Sequence, residues 1–78
     1  MINNEIIDAI EESKYFAKCI EDISDDFGIY CVKGKDYEVI EFLQNESGDD
    51  CYLLDSEEEA GIQVLINDNA FVFYIKEN

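Results

Sequence analysis

Ile62-Gln63-Val64-Leu65-Ile66-Asn67-Asp68-Asn69-Ala70-Phe71-Val72-Phe73-Tyr74-Ile75-Lys76 is the stretch on which the fold class turns. Two runs of β-branched and aromatic residues flank a short Asn/Asp turn, the pattern that predicts a β-hairpin. Side chains alternate across a strand. Ile62, Val64, Ile66, Phe71, Phe73 and Ile75 are therefore expected on the core face. Leu65, Val72 and Tyr74 alternate to the other side, where they read equally as a homodimer contact patch or as cover for a second layer.

Working outward, Cys51-Tyr52-Leu53-Leu54 reads as a short strand, preceded by a loop over 45–50 and followed by an acidic connection over 55–61. Tyr37 to Gln44 is rich in strand formers, but its alternation is broken: Val39 and Leu43 share a face with Glu41. A β-bulge resolves this, or the segment is a short helix capped by Asp36. As a strand it completes a hairpin with Ile29-Tyr30-Cys31-Val32 across Lys33-Gly34-Lys35-Asp36. Ahead of these strands, residues 3 to about 23 read as an amphipathic helix. Ile6, Ile10, Ser13, Ala17 and Ile20 follow helical spacing, and Asn3 or Asn4 serves as N-cap. Asp25, Asp26 and Gly28 fall where this helix should stop. The expected fold is α+β: one N-terminal helix packed on a four- to five-stranded antiparallel sheet, in one domain spanning 1–78.

The 78 residues are 47% hydrophobic and include five Phe and five Tyr, so the chain can bury a core and is not a disordered acidic tail. Twenty acidic residues against five lysines, with no arginine and no histidine, give a net charge of −15. Solubility of a small domain needs only about 2–8 charges, and self-repulsion at this level opposes compaction. A role beyond folding is expected to keep the charge. The acidic N-terminus lacks the pattern of a secretory signal, and no apolar run reaches membrane-spanning length. Cys19, Cys31 and Cys51 form no paired spacing, so reduced thiols and a cytoplasmic location are expected.

Catalytic chemistry is poorly represented. The commonest general base and metal ligand, histidine, is missing, as is the bidentate arginine clamp. Only Lys18 gives a cysteine, Cys19, a basic neighbour in sequence. Asp25-Asp26, Asp49-Asp50 and Glu57-Glu58-Glu59 do not match the alternate-residue calcium loop. The expectation is a binding protein rather than an enzyme, with no cofactor, no metal and no catalytic residue. Direct nucleic-acid binding is disfavoured because its affinity comes from cationic side chains neutralising phosphates.

Inverting that argument yields a function. Carboxylates spread over a rigid body resemble a polyanion to a partner with a basic groove. On the outer face of the expected helix, Asp8, Glu12, Tyr15, Asp22 and Asp26 recur at helical steps beside Glu11, with turns about 5.4 Å apart. Asp49 and Asp50 form a second acidic cluster, and Asp55, Glu57, Glu58 and Glu59 a third. Tyr15 is the candidate aromatic anchor.

Ile6-Ile7-Asp8, Tyr52-Leu53-Leu54 and Val64-Leu65-Ile66-Asn67-Asp68, together with the charge and the helix-then-strands order, carry a resemblance. The chain resembles the small acidic DNA-mimic inhibitors that phages make against host nucleic-acid enzymes, such as anti-CRISPR proteins and the uracil-DNA glycosylase inhibitor. The resemblance implies an inhibitor acting at the nucleic-acid channel of a basic host protein, with a CRISPR effector or another nuclease as the partner. Alternative readings are an immunity protein that neutralises a basic toxin, or an adaptor domain that self-associates through Leu65, Val72 and Tyr74.

Overall fold

A computed structural model describes residues 3–58 and 60–77. The N-terminal helix, α1, covers Asn4–Glu11 only. Asn3 caps it, its side-chain Oδ1 accepting the Ile6 N–H at 3.0 Å, and Glu5 lies in the positively polarised first turn. The expected helix to residue 23 does not form. Ser13 adopts a left-handed φ of 60°. The Ser13 N–H donates to the Ile10 carbonyl at 3.1 Å and the Lys14 N–H to the Ala9 carbonyl at 2.8 Å. That pair of bonds is a Schellman C-cap built on serine where glycine is usual.

Beyond this cap the chain becomes strand β1, Tyr15–Cys19, followed by β2 (Ile23–Asp25), β3 (Gly28–Cys31), β4 (Asp36–Gln44), β5 (Asp50–Leu54), β6 (Ile62–Leu65) and β7 (Phe71–Ile75). The five-stranded antiparallel sheet has the order β6-β5-β4-β1-β7, and β2 and β3 form a separate two-stranded arm. The fold is α+β, with the helix on a five-stranded sheet. Residues 37–44 are strand, not helix. Their broken alternation has the bulge as its cause: the register on β5 shifts between Val39 and Glu41, which leaves Ile40 as the extra residue.

Two expected hairpins do not pair. β3 pairs with β2, not with β4, because the end of β1 intervenes. The Gly34 N–H donates to the Cys19 carbonyl at 2.7 Å, and the Cys19 N–H to the Lys35 carbonyl at 3.0 Å. β6 and β7 lie on opposite edges of the sheet. Two successive turns join them, closed by Asp68 N–H to Leu65 carbonyl at 3.0 Å and Phe71 N–H to Asp68 carbonyl at 3.4 Å. Each turn spans less than about 7 Å. A flat sheet would hold its outer strands about 19 Å apart, at about 4.8 Å per step, so the sheet coils strongly to let the connection close.

The coil wraps a core of Tyr15, Ala17 and Cys19 from β1, Tyr37 and Val39 from β4, Tyr52 and Leu54 from β5, with Val64, Phe71 and Ala9. Ile6 and Ile10 of the helix pack onto it, as do Ile62, Ile66, Phe73 and Ile75. The alternation read in 62–76 thus gives the correct inward face even though the two strands pair with other partners. Tyr52 lies 4.9 Å from Phe73 and 5.5 Å from Tyr15, ring centre to ring centre. The three cysteines are buried and unpaired. No described helix is long and apolar enough to cross a membrane.

Candidate partner-binding site

The shortened helix redistributes the acidic residues. Asp8 and Glu11 are exposed on α1, and Glu12 is exposed at its C-cap. Asp22 and Asp26 lie beyond the far end of β1, which at about 3.3 Å per residue puts roughly 13 Å between the groups. The single helical face of Asp8, Glu12, Tyr15, Asp22 and Asp26 therefore does not exist. Tyr15 is not a surface anchor: it is 6% exposed, and its ring stacks on Phe73 at 6.2 Å. Asp49 and Asp50 sit at the start of β5 and Asp55 beyond its end, so the two expected loop clusters are also a strand's length apart. Asp50 is engaged by the Gln44 side chain, whose Nε2 donates to its Oδ1 at 3.1 Å. Glu59 lies outside the described residues. Leu65 and the pair Val72 and Tyr74 stand on opposite edge strands, and Tyr74 stacks on Phe16 at 6.1 Å.

One acidic region is assembled by the fold from separate parts of the sequence. The β2–β3 arm carries Asp22, Asp25 and Asp26, with Glu21 just before it, and the segment 55–58 packs against the arm. The Glu57 N–H donates to the Tyr30 carbonyl at 2.8 Å. A Cβ placed on Gly28 would lie 3.0 Å from Oε1 of Glu58. Glu57 also ties this segment to β4: its Oε2 accepts from Lys35 Nζ and from the Tyr37 hydroxyl, both at 2.6 Å. The Lys35 ammonium, with the Tyr37 hydroxyl, holds the Glu57 carboxyl below its ordinary pKa.

An isolated two-stranded hairpin is marginal in water, and this one is braced at both ends. At its base Asp22 Oδ1 accepts the Lys33 N–H at 2.7 Å, and Cys31 is fully buried. At its tip Asp25 accepts the Tyr30 hydroxyl at 2.7 Å and the Phe27 N–H at 2.8 Å. Those bonds, led by Tyr30, lower the pKa of Asp25. Both Asp25 and Glu57 are therefore anionic over a wider pH range than ordinary carboxyls.

The arm also holds apolar surface that sequence reading missed. Phe27, at the turn, is 92% exposed and Ile29 56% exposed, with Ile20 and Val32 open to water nearby. The signal was Asp25-Asp26-Phe27-Gly28: turn residues with a phenylalanine among them, for which no core position exists. The same residues also fit the end of a helix, which masks the turn. Near the helix an open groove of about 630 Å³ is lined by Glu5, Asp8 and Glu12 together with Lys14 and Lys76. Among the described residues no three His, Cys, Asp or Glu side chains converge on a metal-binding geometry. Comparisons with protein-family models, with curated proteins and with solved structures found no match to this chain.

Proposed function

We propose that this chain is an acidic binding protein that inhibits a nucleic-acid-binding protein by occupying its cationic site in place of the polynucleotide. The observation that carries this reading is the meeting of the arm, which bears Asp22, Asp25 and Asp26 with Glu21 beside it, and the 55–58 segment, through Glu57 and Glu58. The region so formed is braced, and in it Lys35 offsets one of the carboxylates. Groups fixed before binding lose little conformational entropy on association. Opposite fields also raise the encounter rate. The footprint on this reading is the arm and the 55–58 segment rather than a helix face. A CRISPR effector is the target suggested by the resemblance to phage inhibitors.

The test is capture from an extract of the source cells with immobilised protein, run beside a variant carrying Glu21→Lys, Asp26→Lys and Asp55→Lys. These three side chains are exposed. The expected result is retention of a nucleic-acid-binding protein that the variant fails to hold. Retention should be lost between about 0.1 M and about 1 M salt, as the screening length falls from about 10 Å to about 3 Å. A captured protein that is acidic at the contact, or that stays bound to the variant at high salt, overturns the reading.

A further inference from the structure

From the exposed ring at the tip of the acidic arm we infer that the partner's site is one built for single-stranded nucleic acid, with Phe27 standing where an unstacked base would lie. This rests on the reading above and specifies it. Phe27 is almost wholly open to water, and its backbone is fixed at the tip of the turn, because its N–H is held by Asp25 at 2.8 Å and Asp25 is held by Tyr30. A solvated phenyl ring contributes almost nothing to the fold, since it buries almost no area there. Asp25 and Asp26 precede it in the turn, and Glu58 lies against Gly28 just beyond it.

The surrounding charge selects the occupant. A second copy of the chain would bring the same carboxylates face to face, and an anionic lipid surface would repel them. Nucleic acid is excluded by the same sign. What remains is a protein surface with cationic side chains around an apolar slot. Proteins that grip only the duplex backbone need the cations but no slot, because duplex bases stay stacked inside, and a slot is needed only where a base is held unstacked. Single-strand sites combine a basic groove with aromatic platforms that accept successive bases. A ring framed by carboxylates matches that combination, and Ile29, two residues further along in β3, is a second exposed apolar side chain on the arm.

The experiment is displacement. An extract of the source cells is passed over single-stranded DNA cellulose and, in parallel, double-stranded DNA cellulose. Proteins released by the added full chain are then quantified by mass spectrometry. Wild-type protein is expected to release a defined protein from the single-stranded column. Phe27→Ala should raise the concentration needed by about tenfold or more, while Phe27→Trp stays within about threefold of wild type. Circular dichroism of each variant should match wild type, since the ring supports no core contact. If Phe27→Ala displaces as well as wild type while Asp26→Lys does not, the anionic reading stands and the base-site inference is overturned. Equal release from the duplex column by wild type and Phe27→Ala overturns it too. No release from either column by wild type overturns both.

Discussion

The phenolic hydroxyl of Tyr30 donates to Oδ2 of Asp25 over 2.7 Å, closing the tip of the arm from its strand side. The carboxylate's other oxygen takes the Phe27 N–H, so one side chain sets both the strand and the turn. Asp25→Asn keeps an acceptor for the Phe27 N–H and removes the charge facing Tyr30. The phenol of Tyr30, raised chiefly by its bond to Asp25, is expected to titrate lower in that variant. Asp25→Ala removes both bonds and should speed hydrogen exchange at the Phe27 amide. Because the folded pKa of Asp25 is depressed, its contribution is present above the ordinary value of 3.8 and is lost as pH falls through the folded value. The protection of the Phe27 amide, its exchange rate relative to that of an unstructured amide at the same pH, should fall in that acidic window, and pH-resolved NMR reads both effects.

Ser13 holds the left-handed position of the helix cap at φ 60°, a conformation that costs an L-residue about 1–2 kcal/mol. Glycine removes that cost but has more freedom to lose on folding. Ser13→Gly is expected to raise stability by about 0.5–1 kcal/mol. Ser13→Val should lower it, because a β-branched side chain tolerates the left-handed region worst. Urea denaturation midpoints at constant m-value check both signs. A stabilising Ser13→Val would mean that the cap is not the turn described.

The same residue explains where the sequence was legible and where it was not. Ile6 and Ile10 continue to Ser13, Ala17 and Ile20 at helical spacing, but Tyr15, Ala17 and Cys19 also alternate at the period of a strand. Ala17 satisfies both patterns. The choice is made by tertiary structure: as a strand, 15–19 pairs on both sides, with β4 and β7, and buries Tyr15, Ala17 and Cys19 together. Local propensity carries no information about those partners. Likewise the inward face of 62–76 was readable from alternation, whereas pairing was not, because Asp68 closes two linked turns instead of one. Its Oδ1 accepts the Ala70 N–H at 2.8 Å. The arm is not legible locally, since Asp22, Asp25 and Asp26 fit the face and terminus of a helix equally well. Its bracing depends on Glu57 and Glu58, which lie about 30 residues further along the chain.

Alkali should unfold the protein through groups that are buried in their neutral forms. Burial, aided by Glu57, pushes the Tyr37 hydroxyl up to about 12. Burial together with the nearby Cys19 pushes the Cys31 thiol up to about 12. Burial first, then the bond to Tyr15, raises Tyr52 as well. In each case the unfolded chain loses its proton before the folded one does. Stability is therefore full below the unfolded values, 9.0 for the thiol and 10.0 for the phenols, and is lost as pH rises toward about 12. Urea midpoints measured across this interval should fall steadily. Tyr37→Phe should flatten part of the decline. It should also cost about 1–3 kcal/mol at neutral pH, because the Val32 N–H, now donating to the Tyr37 hydroxyl at 2.7 Å, loses its partner.

Salt should stabilise this fold while weakening its complex, and the opposite signs separate the two roles of the charge. Within the chain a net charge of −15 is spread over a body with a radius of gyration of 12.1 Å. At about 0.01 M salt the screening length of about 30 Å is comparable with the span of the molecule, 37 × 34 × 22 Å, and at about 1 M it falls to about 3 Å. Repulsion between distant carboxylates is then removed, and the compact state gains more than the unfolded chain, in which the charges are already far apart. Favourable pairs work against this trend. Among the described residues Lys35 and Glu57 meet at 2.6 Å and Lys14 and Glu12 at 3.9 Å, and exposed pairs of this kind contribute little. The thermal midpoint in sodium chloride is therefore expected to rise across this range. A variant with Glu21, Asp26 and Asp55 changed to the corresponding amides should start higher and respond less. A midpoint that falls with added chloride would show that attraction, not repulsion, dominates the surface, and the acidic region would then lack the unbalanced field from which its binding role is argued.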